Sequence, residues 1–148
     1  MTREELDQKI KAYADHYEIP IEILKAIISI NSGWQVHNFK AIPRCKNDFF
    51  VGLTGISYST AKYFGYEGTA LELKSINENL EYCCKEIKFL LERYKDHADM
   101  WDYVYAGYNL NVAMRKDNGT FINQKQVEKY KNEAKKYKWK GALLNNHV

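Results

Sequence analysis

"YEIPIEILKAIISINSGW", residues 17–34, decides the fold. Pro20 stands where a helix favours its first residue, and Ile23, Leu24, Ile27, Ile28 and the neighbouring Ile30 follow, leaving little polar surface. A segment that is apolar around most of its circumference must be buried around most of it. It therefore predicts a helix at the centre of the fold. Gly33 is a natural stop, and Pro43 keeps the chain irregular after it.

Upstream, Thr2 and Glu5 form a capping box, and Leu6, Ile10, Tyr13 and Tyr17 recur at helical spacing, which predicts a first amphipathic helix. Downstream, the helical period is lost from Trp34 to Ile56. There "DFFVGLTGI" suits short extended pieces around Gly52 and Gly55, so a loop or small hairpin is expected near residues 40–56. Helical signal returns in "STAKYFG". The strongest helix begins where Ser75 and Glu78 make a second capping box, with Ile76, Leu80, Cys83, Ile87, Leu90 and Tyr94 as its buried stripe. "ADMWDYVYAGYN" reads as a helix ending near Asn109, "DNGT" as a turn, and "NQKQVEKYKNEAKKYKWK" as a last, strongly basic helix. The fold class is mainly α, a single domain over residues 1–148, without repeats or linkers.

Composition narrows the class. Of 148 residues, 45% are hydrophobic and 28% charged, which excludes a disordered chain, and no apolar run approaches the roughly 20 residues of a membrane span. The amino-terminal "MTREELDQKIK" has no apolar core or cleavage site, so the sequence predicts synthesis in the cytoplasm without a signal peptide. Cys45, Cys83 and Cys84 are odd in number and lack metal-ligand spacing, so they read as packing residues. His16, His37, His97 and His147 are scattered, and neither a metal nor a cofactor is expected. In the last helix Lys125, Lys129, Lys131, Lys135, Lys136, Lys138 and Lys140 interleave with Tyr130, Tyr137 and Trp139. This reads either as a solvated face or as a surface for an anionic partner such as cell wall or nucleic acid.

Four segments, in order, resemble the motifs of the soluble lytic transglycosylase family, lysozyme-like enzymes that cleave peptidoglycan glycan strands. The family's "Y..pp.ll.AiI..ESgf" is similar to Tyr17–Trp34, and its "GLMQi.p.TA...G" to "GLTGISYSTAKYFG", residues 52–65. A helix opening on an Asn-Ile pair is similar to "NLEYCCKEIKFLLERY" from Asn79, and "AYNaG" to "AGYNLN", residues 106–111. Together they span nearly the whole chain. The resemblance implies a lysozyme-like fold and, as partner, peptidoglycan glycan strands whose β-1,4 bonds between N-acetyl sugars the family breaks.

The match fails at the residue the reaction needs. The family's single catalytic glutamate falls on Asn31. That residue protonates the departing glycosidic oxygen and then removes the proton of the muramic acid hydroxyl, closing an anhydro ring. A carboxamide does neither near neutral pH. The glutamine of "GLMQ" falls on Gly55 and the last glycine of "YNaG" on Asn111, so the departure extends beyond the acid. Tyr108 and Asn109 keep the family's pair, Ser32 keeps its place beside the acid position, and Trp34 and Tyr58 offer aromatic faces for sugar rings or for packing.

Two carboxylates deserve weighing as substitutes. Glu22 lies about 13 Å from Asn31 along the same helix at 1.5 Å per residue, which is too far. Asp48 precedes the "GLTG" segment, in a region where some goose-type lysozymes carry assisting aspartates, but one carboxylate leaves either the acid or the base role unfilled. The sequence thus points to a peptidoglycan-engaging domain with catalysis lost or severely weakened, acting at the cell wall if phage or secretion machinery delivers it. A non-catalytic structural protein that keeps the fold is the alternative, and a nucleic-acid binder using the basic carboxy-terminal helix is a third.

Overall fold

The computed structural model describes residues 1–138. It is mainly helical, with one small antiparallel sheet. Helix α1, Arg3–His16, starts as expected: the Thr2 hydroxyl accepts from the Glu5 amide at 3.1 Å, and Leu6, Ile10 and Ala14 are buried. Helix α2, Ile21–Ser32, buries Ile23, Leu24, Ala26, Ile27 and Ile28. Pro20 stands one position outside it, at the cap, without a side-chain bond to the helix. A lost cap costs about 1 kcal/mol, whereas each fully buried Leu or Ile contributes about 1.5–3 kcal/mol. Burial therefore fixes α2 at the centre, and Gly33 closes it in the left-handed region at φ 59°.

Residues 39–57 form a sheet of three strands where the sequence suggested a loop or hairpin. Strands β1 (Phe39–Ala41), β2 (Phe49–Val51) and β3 (Ile56–Ser57) pair in that order, with Phe39 opposite Val51 and Phe50 opposite Ser57. The third strand exists because Gly52 and Gly55, both at positive φ, turn the chain back on β2. Helix α3, Tyr58–Tyr63, follows directly. Val51, Ile56, Ala61, Tyr66 and Leu73 form a small core here, separate from the main one around α2.

Helix α4, Ile76–Tyr94, buries Leu80, Cys83, Ile87, Leu90 and Tyr94 as the spacing predicts. The expected box at Ser75 and Glu78 is absent, since Ser75 makes no side-chain cap. The reciprocal pair lies one turn earlier. Thr69 accepts from the Glu72 amide at 3.1 Å and Glu72 accepts from the Thr69 amide at 3.0 Å, because the chain enters α4 through a 3-10 turn, Glu72–Lys74. Helix α5 is Met100–Gly107 and α6 is Gln124–Lys136. Helix α6 packs on α2 and α5 through Val127, Tyr130 and Ala134. The expectations for Trp139, Lys140 and His147 lie outside the described residues. No helix among the described residues is long and apolar enough to cross a membrane.

Candidate functional site

A cavity of about 350 Å³ opens between the sheet with α3 on one side and the ends of α2, α5 and α6 on the other. Asn31 lines it from α2, with Tyr108 and Asn109 following α5. The sheet side supplies Asp48, Phe50, Ser57 and Ser59, and α6 with its cap supplies Asn123, Gln126 and Tyr130. Segments far apart in sequence that were singled out for one shared resemblance therefore meet around one space.

Thr54, fully buried, ties that wall together. Its carbonyl accepts from the Tyr108 hydroxyl at 3.1 Å and from the Asn31 amide at 3.3 Å. Its own amide and hydroxyl donate to Asn79 Oδ1 at 2.9 and 2.7 Å, and Asn79 Nδ2 donates to the Val51 and Leu73 carbonyls at 2.8 and 3.0 Å. Three helices thus hold one turn. Every polar atom of the Asn79 side chain is used, as a buried amide requires.

Asn109 does the same for the next residues. Its Nδ2 donates to the Gly55 carbonyl at 3.0 Å and its Oδ1 accepts from the Ser57 amide at 2.8 Å, imitating a neighbouring strand. This reach needs the left-handed backbone that Asn109 adopts at φ 67°, with Asn111 alike at φ 62°; asparagine enters that region more readily than other side chains. Asn111 therefore retains the conformation a glycine would supply. Behind Asn109, the Glu86 carboxylate accepts its amide at 3.0 and 2.8 Å through the two oxygens. Glu86 is fully buried, and burial pushes its carboxyl up to about 8 against the opposing pull of the Asn109 and Asn111 amides.

Asn31 is a two-sided tie. Its Oδ1 accepts from the Tyr130 hydroxyl at 2.9 Å while its Nδ2 faces the Thr54 carbonyl. An ionised carboxylate would set oxygen against oxygen at Thr54; the amide suits both neighbours. Gly55 packs directly on it: a Cβ there would come within 2.6 Å of Asn31 Cβ, at φ +62°, so only glycine fits. Any side chain at position 55 is thus excluded on steric grounds.

Among the described residues Asp48 is the one carboxylate lining the cavity. Its Oδ1 accepts from the Phe49 and Ser59 amides at 2.9 and 3.0 Å, and its Oδ2 from the Ser59 hydroxyl at 2.6 Å. It fastens β2 to the first turn of α3. Both of its oxygens are thus engaged by the protein's own amides and hydroxyl.

The other expected site residues fall elsewhere. The Ser32 hydroxyl lies 3.0 Å from the Ile28 carbonyl and 2.5 Å from that of Leu53, tying the end of α2 to the turn after β2. Trp34 does not line the cavity; the Arg3 guanidinium lies 3.5 Å above its ring and joins the start of α1 to the end of α2. Tyr58 packs against the smaller core and donates to the Gly68 carbonyl at 3.1 Å, so it too is absent from the lining. Both aromatics pack against the hydrophobic cores and are absent from the cavity lining. Cys83 and Cys84 are buried, but Cys45 is exposed on the cavity lining, a correction to its reading as packing.

Sequence reasoning missed Asn79, Glu86, Thr54 and Tyr130. A signal existed for two: Asn79 and Glu86 fall on the same helical stripe as Cys83 and Leu90, where a polar residue must find buried partners. Among the described residues no group of three or more His, Cys, Asp or Glu could hold a metal ion. Comparison with family models, with curated proteins and with solved structures returns no match.

Proposed function

We propose that this chain is a lysozyme-like domain of the lytic transglycosylase type that grips peptidoglycan glycan strands and does not cleave them. One observation carries the reading: Asn31, Ser57 and Ser59, and the Tyr108–Asn109 pair, from segments that each resemble the family, line one cavity whose only carboxylate among the described residues is committed to Ser59 and Phe49. Glycosidic cleavage needs a protonated acid beside the departing oxygen and a base for the attacking hydroxyl. Asn31 supplies neither, and Glu86 is buried behind Asn109 and absent from the lining. Losing a positioned acid/base group costs about 10²- to 10⁴-fold in rate.

The test is sedimentation with insoluble peptidoglycan, followed by muropeptide analysis, for the natural chain and Asn31→Glu. The natural chain is expected to sediment without releasing anhydro-muropeptides. Release by the natural chain would overturn the assignment of Asn31 and make Asp48→Asn the next variant. A second reading, a structural protein that keeps the fold, is favoured by the double tie of Asn31 and the closure of Gly55 upon it. Failure to sediment selects it.

A further inference from the structure

The cavity interior and its rims differ in charge. Inside are amides, hydroxyls and apolar groups, with Asp48 turned to Ser59, and among the described residues no lysine or arginine lines it. An anion placed inside would meet that carboxylate and no cation. Exposed cations adjoin lining residues on two sides, with the exposed Glu128 between the two lysines of α6. Arg44 and Lys46 flank the lining residue Cys45 on the loop between β1 and β2, and both are exposed. Across the cavity, Lys125 and Lys129 on α6 each immediately precede a lining residue, Gln126 and Tyr130, and both are exposed. Among the described residues none of the four cations makes an ion pair, whereas Lys131 and Lys136 of the same helix are paired with Asp102 and Glu133. Unpaired lysines on one helix face are ordinarily solvated. Here unpaired cations adjoin, on two sides, a lining whose one charged group among the described residues is Asp48.

We infer that these rims select glycan strands that still carry their acidic peptide substituents over strands stripped of them; this rests on the glycan reading above. A sugar ring is uncharged and suits the interior. The peptides that hang from alternate sugars of the strand bear carboxylates, and a ring seated in the cavity would place those carboxylates outside it, at Arg44 and Lys46 or at Lys125 and Lys129. Such contacts are exposed and act through screened Coulomb attraction, so each is modest and all weaken with salt.

The experiment measures binding of the whole chain to peptide-bearing glycan strands and to the same strands after amidase removal of the peptides. It is run at low and raised salt, for the natural chain and for the double variants K125E/K129E and R44E/K46E, with a single-stranded DNA of matched length as competitor. The natural chain is expected to prefer peptide-bearing strands by about three- to tenfold at low salt, as a few exposed ion pairs allow. Raised salt and each double variant are expected to abolish the preference while affinity for stripped strands holds. Equal binding of both strands by the natural chain overturns the inference and leaves the glycan reading standing. A preference that survives both double variants also overturns it, as does displacement of the strands by DNA. Binding to neither strand overturns the inference together with the glycan reading.

Discussion

Helices α2 and α4 each place polar side chains against the same turn, and they do so on opposite sides of the cavity wall. Asn31 of α2 lies on the wall, half-buried, where the family resemblance calls for an acid, yet it carries an amide. Glu86 and Asn79 of α4 lie behind it, fully buried, in a stripe that otherwise packs apolar side chains. The chain therefore has a carboxyl with a raised proton affinity, but has it behind the cavity wall and not in its lining. What a side chain's chemistry can do depends on where packing puts it.

The comparison makes removal of a group behind the wall more damaging than removal of one on it. Asn79→Ala is expected to have the largest effect. It leaves the Thr54 amide and hydroxyl and the Val51 and Leu73 carbonyls without their partner, for a loss of about 4 kcal/mol in urea unfolding. A loss below about 1 kcal/mol would remove the contrast between the two sides.

Glu86→Gln tests the second buried group through pH. Its carboxyl is near its ordinary value of 4.5 when unfolded and is raised to about 8 when folded, so between these values the folded state holds a proton that the unfolded state has released. The stability this group contributes is full below about 4.5 and is lost as pH rises toward 8. The variant is expected to flatten that decline, and parallel stability curves for the two proteins would show that Glu86 titrates normally.

On the wall, Tyr130→Phe removes one bond to Asn31 and is expected to cost about 1 kcal/mol, leaving peptidoglycan sedimentation intact. The smallest effect is expected from Tyr58→Phe. It loses the bond to Gly68 at the surface of the smaller core, for about 0.5 kcal/mol, with glycan binding unchanged. A marked fall in sedimentation for Tyr58→Phe would return this ring to the binding site.

Much of the helical framework was legible because burial and local spacing agree. The apolar run through Ile23–Ile28 and the stripe from Leu80 to Tyr94 each specify a buried face without reference to anything distant. The third strand was not legible: Ile56 and Ser57 are too few to show a period of two, and they become a strand only when β2 offers its edge. The box at Ser75 and Glu78 misled for a related reason. Its residue types permit a cap, but the 3-10 turn before it settled how the chain enters the helix.

At the site, the sequence marked Asn31, Asp48, Tyr108 and Asn109, all of which line the cavity, and it equally marked Ser32, Trp34, Gly55 and Tyr58, which do not. A ring's type says that it can lie against a sugar; only the packing around it says what it lies against. Residue identity alone determined the central helix, the basic last helix and the amide at position 31, since these follow from side-chain chemistry and short-range period. Tertiary structure alone decided that Asn31 bridges Tyr130 and Thr54, that Asp48 is committed to Ser59, and that Glu86 holds Asn109. Each of these joins groups brought together by packing, and the partners of a buried polar group are fixed by which distant segments arrive beside it.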